Sequence, residues 1–370
     1  MAARSSSVLV IDDQSGTATR RHLEGWVDTI VRHPNDVTDS DLKRCKLVLV
    51  DFRLDEWPER DELRTPSLMP QTGIALIAVL RSNLARLKAA PTAFALNSGL
   101  LSDLSNGGTW EGREHAIAKS IDLEWVFAKT SDRAKFAQGV KSLAEAISAL
   151  PTKWPTASKT KDQILKLLAL PKSKWRQSAI EAIDRSYPPH EILIGNSSGI
   201  AIPRWLLHVI LPYPTFLLDQ RYLAARLSLE PSSLSELFEG PAGTKIRKLL
   251  SPCEYRGILS DFAGTRWWRA GLEYFLWEKT KGRPFDRDAI EKLVRAQFST
   301  KAKFTELRDP VVSIDEQLRP CNALISLQSA IEVKPDGWPP FADGAWVSAA
   351  LANDPTFVAL VPQSEKNRLQ

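Results

Sequence analysis

Four short apolar runs mark the first 150 residues: "VLVI" at 8–11, "KLVLVD" at 46–51, "TAFALN" at 92–97 and "LEWVFAK" at 123–129. Runs of this length, bounded by polar turns and lacking polar–apolar alternation, predict strands buried on both faces. Between them lie stretches of helical period. Residues 18–31 space His22-Leu23, Trp26-Val27 and Ile30-Val31 along one face, 73–89 form an amphipathic repeat, 114–121 a short one and 133–150 a long one. A weaker strand is expected near 28–34, and the segment from there to residue 45 has no defined pattern. Strands that alternate with helices cannot be joined by hairpins. They line up in parallel, with the helices crossing over both faces. The expectation for residues 1–150 is therefore an α/β fold with a doubly wound parallel five-stranded sheet.

After residue 150 the pattern changes. Residues 151–162, within "LPTKWPTASKTKD", are rich in Pro, Ser, Thr and Lys without periodicity and read as a linker. From 163 to 370 helical patterns dominate, near 162–170, 173–186, 203–211, 215–228, 231–239, 242–250, 263–280 and 286–298. Prolines punctuate them, and the tail beyond 310 is mixed, with one further helix expected near 345–352. A chain of 370 residues suits two domains, the second mainly α-helical. A net charge of +5 is far from the dense basic stripe of a nucleic-acid-binding surface. Cys45, Cys253 and Cys321 are widely spaced and the histidines are scattered, which argues against a zinc site or a disulfide framework. No run approaches the ~20 apolar residues of a membrane helix, and no signal peptide is recognisable, so the expected location is the cytoplasm without membrane association.

In a parallel α/β sheet, ligands bind at the carboxyl ends of the strands. The first run ends in Asp12-Asp13, the second in Asp51, the third in Asn97-Ser98-Gly99 and the fourth in Lys129. Three acids, a hydroxyl and a lysine are thus expected at one sheet edge. Acids so crowded call for a hard divalent cation, with Mg2+ the best candidate. The cation offsets their repulsion and lets one carboxylate act as a nucleophile toward phosphorus. A lysine and a hydroxyl supply positive charge and a hydrogen bond for phosphate oxygens.

Taken together, "VLVIDDQ", "LVLVDFRL", "FALNSG" and "VFAKT" resemble, in order, four segments of response-regulator receiver domains, over residues ~7–150. The resemblance implies a flavodoxin-like fold that accepts a phosphoryl group from a histidine kinase or phosphotransfer protein. It implies Asp51 as phosphoacceptor, and Asp12, Asp13 and Asp51 as Mg2+ ligands with the backbone carbonyl of Arg53. Ser98, or Asn97 with a shift of one residue, would be the switch hydroxyl position, and Lys129 would pair with the phosphate. The protein would then be a two-component response regulator and not an enzyme. Receivers with large insertions and unfamiliar helical tails also resemble, loosely, components of bacterial anti-phage signalling, which would imply a regulator or a phosphate buffer.

The sequence departs from the family at several points. Lys129 is followed by Thr130 where the family has proline, and the usual aromatic position three residues before the lysine is Val126, flanked by Trp125 and Phe127. Residues 55–71 and 100–114 are expansions on either side of the expected crevice. In the C-terminal half, "TRWWRAGLEYFLWEK" at 265–279 reads as a helix whose aromatics fill a core and whose arginines pair with Glu254, Asp261 or Glu273; the competing reading is an aromatic, basic surface for nucleic acid or a partner. Residues 231–250 admit a helix-turn-helix without a convincing basic recognition helix, and "NSSG" at 196–199 with His190 and His208 makes no nucleophile–base arrangement. The helical domain is expected to be an output module that binds a partner protein or a second copy. The alternatives are a phosphate-independent interaction module of receiver shape and a DNA-binding regulator.

Overall fold

Strand β1 (Ser7–Ile11) is buried along its whole length. Leu9 and Ile11 belong to one hydrophobic cluster with Val48, Val50, Leu76, Ile77, Phe94, Leu96 and Val126. Val8 and Val10 point to the opposite face, as strand geometry requires. Both faces are covered, which is why the run shows no alternation. β1 pairs in parallel with β2 (Asp28–Arg32) and β3 (Leu47–Asp51), β3 with β4 (Ala93–Ser98), and β4 with β5 (Trp125–Ala128). The order β2-β1-β3-β4-β5 is that of a flavodoxin-like α/β sheet. Around it lie α1 (Thr17–Leu23), α2 (Asp39–Arg44), α3 (Gly73–Leu87), α4 (Glu114–Ser120) and α5 (Arg133–Ser148).

This computed structural model describes residues 7–57, 69–87, 90–99, 104, 112–129, 132–155, 157–189, 192, 199–298 and 302–369. The chain divides into two units. One comprises Met1–Ala169, Pro189–His208 and Gly257–Ala263; the other comprises Leu170–Pro188, Val209–Arg256 and Gly264–Gln370. Most of the 55–71 and 100–114 expansions, together with Thr130, His190 and most of "NSSG", lies outside the described residues.

In the first unit the helix expected over 18–31 stops at Leu23. Glu24 leaves helical geometry (φ −59°, ψ 130°) and Gly25 has a φ of 79°. The residues that would continue it form β2, the weaker strand expected near 28–34, in register with all of β1. The undefined segment before residue 45 holds α2, which starts on a capping box between Thr38 and Asp41. The Asp41 carboxylate also takes a hydrogen bond from Arg32 Nε at 3.1 Å. Helix α6 (Ala157–Leu167) reaches into the stretch read as a linker, burying Ile164, Leu165 and Leu167. The returning helix Ala201–Trp205 lies against α5.

The second unit is largely helical, with α7 (Arg176–Arg185) and helices at Gln220–Arg226, Pro231–Glu239, Gly243–Leu250, Arg269–Lys279 and Arg287–Gln297. Leu223, Leu234, Ile246, Leu272, Leu276 and Val294 are among its shared core residues. Its helix expected over 263–280 begins only at Arg269, because Trp267-Trp268 pair as a strand with Leu217-Leu218. Both tryptophans are buried, Trp267 stacked on Phe238 and Trp268 on Phe216. The flanking arginines take partners other than the acids expected for them. Arg266 donates to the Leu211, Gly264 and Thr265 carbonyls, and Arg269 pairs with Asp343 at 2.5 Å. The mixed tail forms a four-stranded sheet from Pro310–Ile314, Pro320–Ser326, Ala330–Val333 and Ala345–Ser348; only Ala349–Ala352 of the helix expected at 345–352 is helical. Among the described residues no helix is long and apolar enough to cross a membrane.

Candidate functional site

β1 lies between β2 and β3, so the crossovers leaving β1 and β3 diverge to opposite faces and open a crevice at their carboxyl ends. Asp12 and Asp13 follow β1 directly and Asp51 is the last residue of β3. One carboxylate oxygen from each lies within 4.8 Å of the other two. Asp13 is buried, while Asp12 and Asp51 are half-buried.

Two loops hold these acids. Asp12 Oδ1 accepts the Gln14 N–H at 2.9 Å, which tightens the turn after β1. Asp13 Oδ2 accepts the Glu56 N–H at 2.6 Å, which fastens that turn to the loop after β3. The Gln14 side chain in turn donates to Glu56 Oε1 at 2.8 Å. The start of α3 presses on the end of β3: Gly73 N–H donates to the Phe52 carbonyl at 2.8 Å, and a Cβ at Gly73 would lie 2.2 Å from the Asp51 carbonyl oxygen. Only glycine allows this approach.

Lys129, just beyond β5, donates from Nζ to Asp51 Oδ2 at 2.9 Å, and its N–H is tied to the Ser98 carbonyl at 2.7 Å. Burial pushes the Asp51 carboxyl above its ordinary value; Lys129 pulls it back and Asp12 adds to the rise. Two carboxylates at this spacing repel by about 3 kcal/mol at an effective dielectric of about 20. Lys129 pairs with one of the three acids, and the negative charge of such a group suits a divalent cation.

The cleft above these groups has a volume of about 340 Å³ and is lined by Asp13, Asp51, Arg53, Ser98 and Lys129, with Gln14, Phe52, Asp55, Glu56 and Gly99. Arg53 is bridged to Thr72 across the loop after β3. Ser98 and Asn97, interchangeable by sequence, face different spaces. Ser98 lines the cleft, whereas Asn97 lines a neighbouring recess of about 180 Å³ and donates from Nδ2 to Thr19 Oγ1 at 3.2 Å. Alternation along β4 separates them. Lys129 borders both spaces, and Asp12 borders the recess. Val126 is a fully buried core residue, and the aromatics beside it, Trp125 and Phe127, point to the opposite face of β5.

Gln14, Asp55 and Glu56 are polar members of the cleft that sequence reasoning missed. Asp55 and Glu56 had a legible signal, since acids four and five residues after Asp51 stand next to the expected site. The Glu56 contact with Asp13 is made by backbone, which leaves no trace in residue identity.

No protein-family model, curated protein or solved structure matches this chain.

Proposed function

We propose that the N-terminal unit is a receiver domain that accepts a phosphoryl group on Asp51 from a phosphohistidine donor, and that the helical unit carries its output. The observation that supports this most is the meeting of Asp12, Asp13, Asp51, Ser98 and Lys129 at the carboxyl ends of four strands. Hard carboxylate oxygens within 4.8 Å of one another suit Mg2+, to which the Arg53 carbonyl would add a ligand. When bound, such an ion neutralises charge on the transferring phosphoryl group.

The chain's own groups do the rest. An Asp51 oxygen forms the new bond to phosphorus while the P–N bond of the donor breaks and its electron pair leaves on the imidazole. Asp51 must be ionised for this, and Lys129 favours that form. The Lys129 ammonium and the Ser98 hydroxyl, which both line the cleft, would bind phosphoryl oxygens.

Incubation of the full chain with radiolabelled acetyl phosphate and Mg2+ should give an acid-labile label that Asp51→Asn abolishes. Label that persists in Asp51→Asn would overturn the assignment of the acceptor. Failure of beryllofluoride to bind in Mg2+ would favour a phosphate-independent interaction module.

A further inference from the structure

Between two stretches of the helical unit, the chain spends Gly257–Ala263 in the sheet unit. There Ile258 N–H donates to the Leu167 carbonyl at 2.9 Å, and Gln138 of α5 donates to the Asp261 carbonyl at 3.0 Å. The Phe262 ring stands edge-on to Trp125, centroids 4.8 Å apart, and 6.2 Å from Phe127. Phe127 also meets Phe136 at 5.6 Å, and Gly139 leaves room for it: a Cβ there would lie 3.1 Å from the Phe127 ring. Two residues beyond Phe127 is Lys129, held to Ser98 by its backbone and to Asp51 by its side chain.

We propose that Gly257–Ala263 reports the state of Asp51: phosphorylation draws Lys129 to the new oxygens, Phe127 shifts with it, and Phe262 is released from its seat on Trp125 and Phe127. This rests on the phosphoacceptor reading above.

The geometry assigns the movement to this segment and not to its neighbours. A phosphoryl group adds about −1.5 to −2 charge at Asp51, so the Lys129 ammonium must leave the carboxylate oxygen it now holds. Phe127 is 6% exposed and packed between α5 and Phe262. Helix α5 is sixteen residues of continuous hydrogen bonding. The segment opposite is short, Phe262 is only half-buried, and Leu259 sits at a φ of 64°. That backbone region is sparsely populated by residues other than glycine and is kept only where packing enforces it. Of the two elements packed on Phe127, the segment runs as turns without the hydrogen-bond ladder of α5, and it is the one that yields. Because its two ends run directly into the helical unit, its release is transmitted through the chain itself.

Hydrogen–deuterium exchange of the full chain tests this, with Mg2+ and beryllofluoride as the phosphoryl mimic. Peptides covering 257–263 should exchange at least about fivefold faster in the bound protein, while α5 keeps its protection. Phe262→Ala should exchange fast there without the mimic and, by linkage, bind beryllofluoride about fivefold or more tightly. Phe262→Leu, which keeps an apolar side chain in the seat, should behave as the parent. Binding of the mimic with unchanged exchange at 257–263, or unchanged affinity in Phe262→Ala, overturns the proposal and leaves the phosphoacceptor reading intact. No binding to the parent chain overturns both.

Discussion

Lys129 and Asp51, 78 residues apart, form a 2.9 Å ion pair that spans the carboxyl ends of β3 and β5. It places one cation against a group of three acids, and the described residues lining the cleft keep an excess of negative charge. Much of the chemistry proposed for the cleft depends on that imbalance.

Removing the cation should move the titration of Asp51. Burial already lifts this carboxyl, and Lys129 is the main influence drawing it back. In Lys129→Ala the Asp51 carboxyl carbon, followed by NMR, should titrate higher than in the parent. Phosphoryl transfer should then fall off on acidification at a higher pH. An unchanged titration would mean that the pair contributes nothing in solution.

Asp51→Asn should stabilise the protein at neutral pH without divalent cations. A carboxyl lifted in the folded state binds its proton more tightly there than in the unfolded chain. Its cost is therefore absent at low pH and grows as pH rises from about 3.9 through the folded value. The gain should appear as a higher midpoint in a calorimetric melt at neutral pH, and it should shrink when Mg2+ is added. Equal midpoints in EDTA would refute the crowding argument.

Gly73→Ala puts a methyl group 2.2 Å from the Asp51 carbonyl. Backbone on both sides cannot move without disturbing the sheet, so the cost should be about 3 kcal/mol. Urea denaturation should show it, and Mg2+ affinity should weaken because the end of β3 shifts. The nearby exposed change Val79→Ala serves as a control with little effect.

Glu124, at the amino end of β5, is fully buried and accepts hydrogen bonds from Arg204 and from the Phe94 N–H. Arg204 also pairs with Asp122 at 2.5 Å. Glu124→Gln would strand part of the Arg204 charge, at a cost of about 3–5 kcal/mol. A loss below 1 kcal/mol in chemical denaturation would show that water or the exposed Asp122 satisfies Arg204 instead.

His208 lies against the same acid, its Nε2–H donating to the Glu124 carbonyl at 3.0 Å. Burial lowers its pKa to about 4, with Arg204 adding to the drop and the bond to Glu124 opposing it. The folded state therefore resists protonation. The contribution of His208 is complete above the unfolded value of about 6.5 and is lost as pH falls from there toward 4, up to about 3 kcal/mol. Midpoints measured from pH 7 to 4.5 should fall less steeply in His208→Gln than in the parent. Parallel curves would contradict the burial argument.

Most of the sheet was legible because its signals are local. A run such as Val8–Ile11 or Leu47–Val50 can satisfy its side chains only inside a sheet covered on both faces, and the polar residues that stop each run necessarily fall at strand ends. Sequence alone thereby determined the parallel α/β architecture and the presence of Asp12, Asp13, Asp51 and Lys129 at one edge. Tertiary structure decided what no local period can express. Pairing with β1 settled Asp28–Arg32, where a helical period and a weak strand overlapped in the sequence, as strand, and pairing with Leu217-Leu218 made a strand of Trp267-Trp268. The pleat of β4 sent Ser98 into the cleft and Asn97 away from it. Arg269 took Asp343, 74 residues distant, over the acids near it in the chain. Periodicity reports only which face of an element is apolar; partners are set by which elements pack together, and that depends on contacts between residues far apart in sequence.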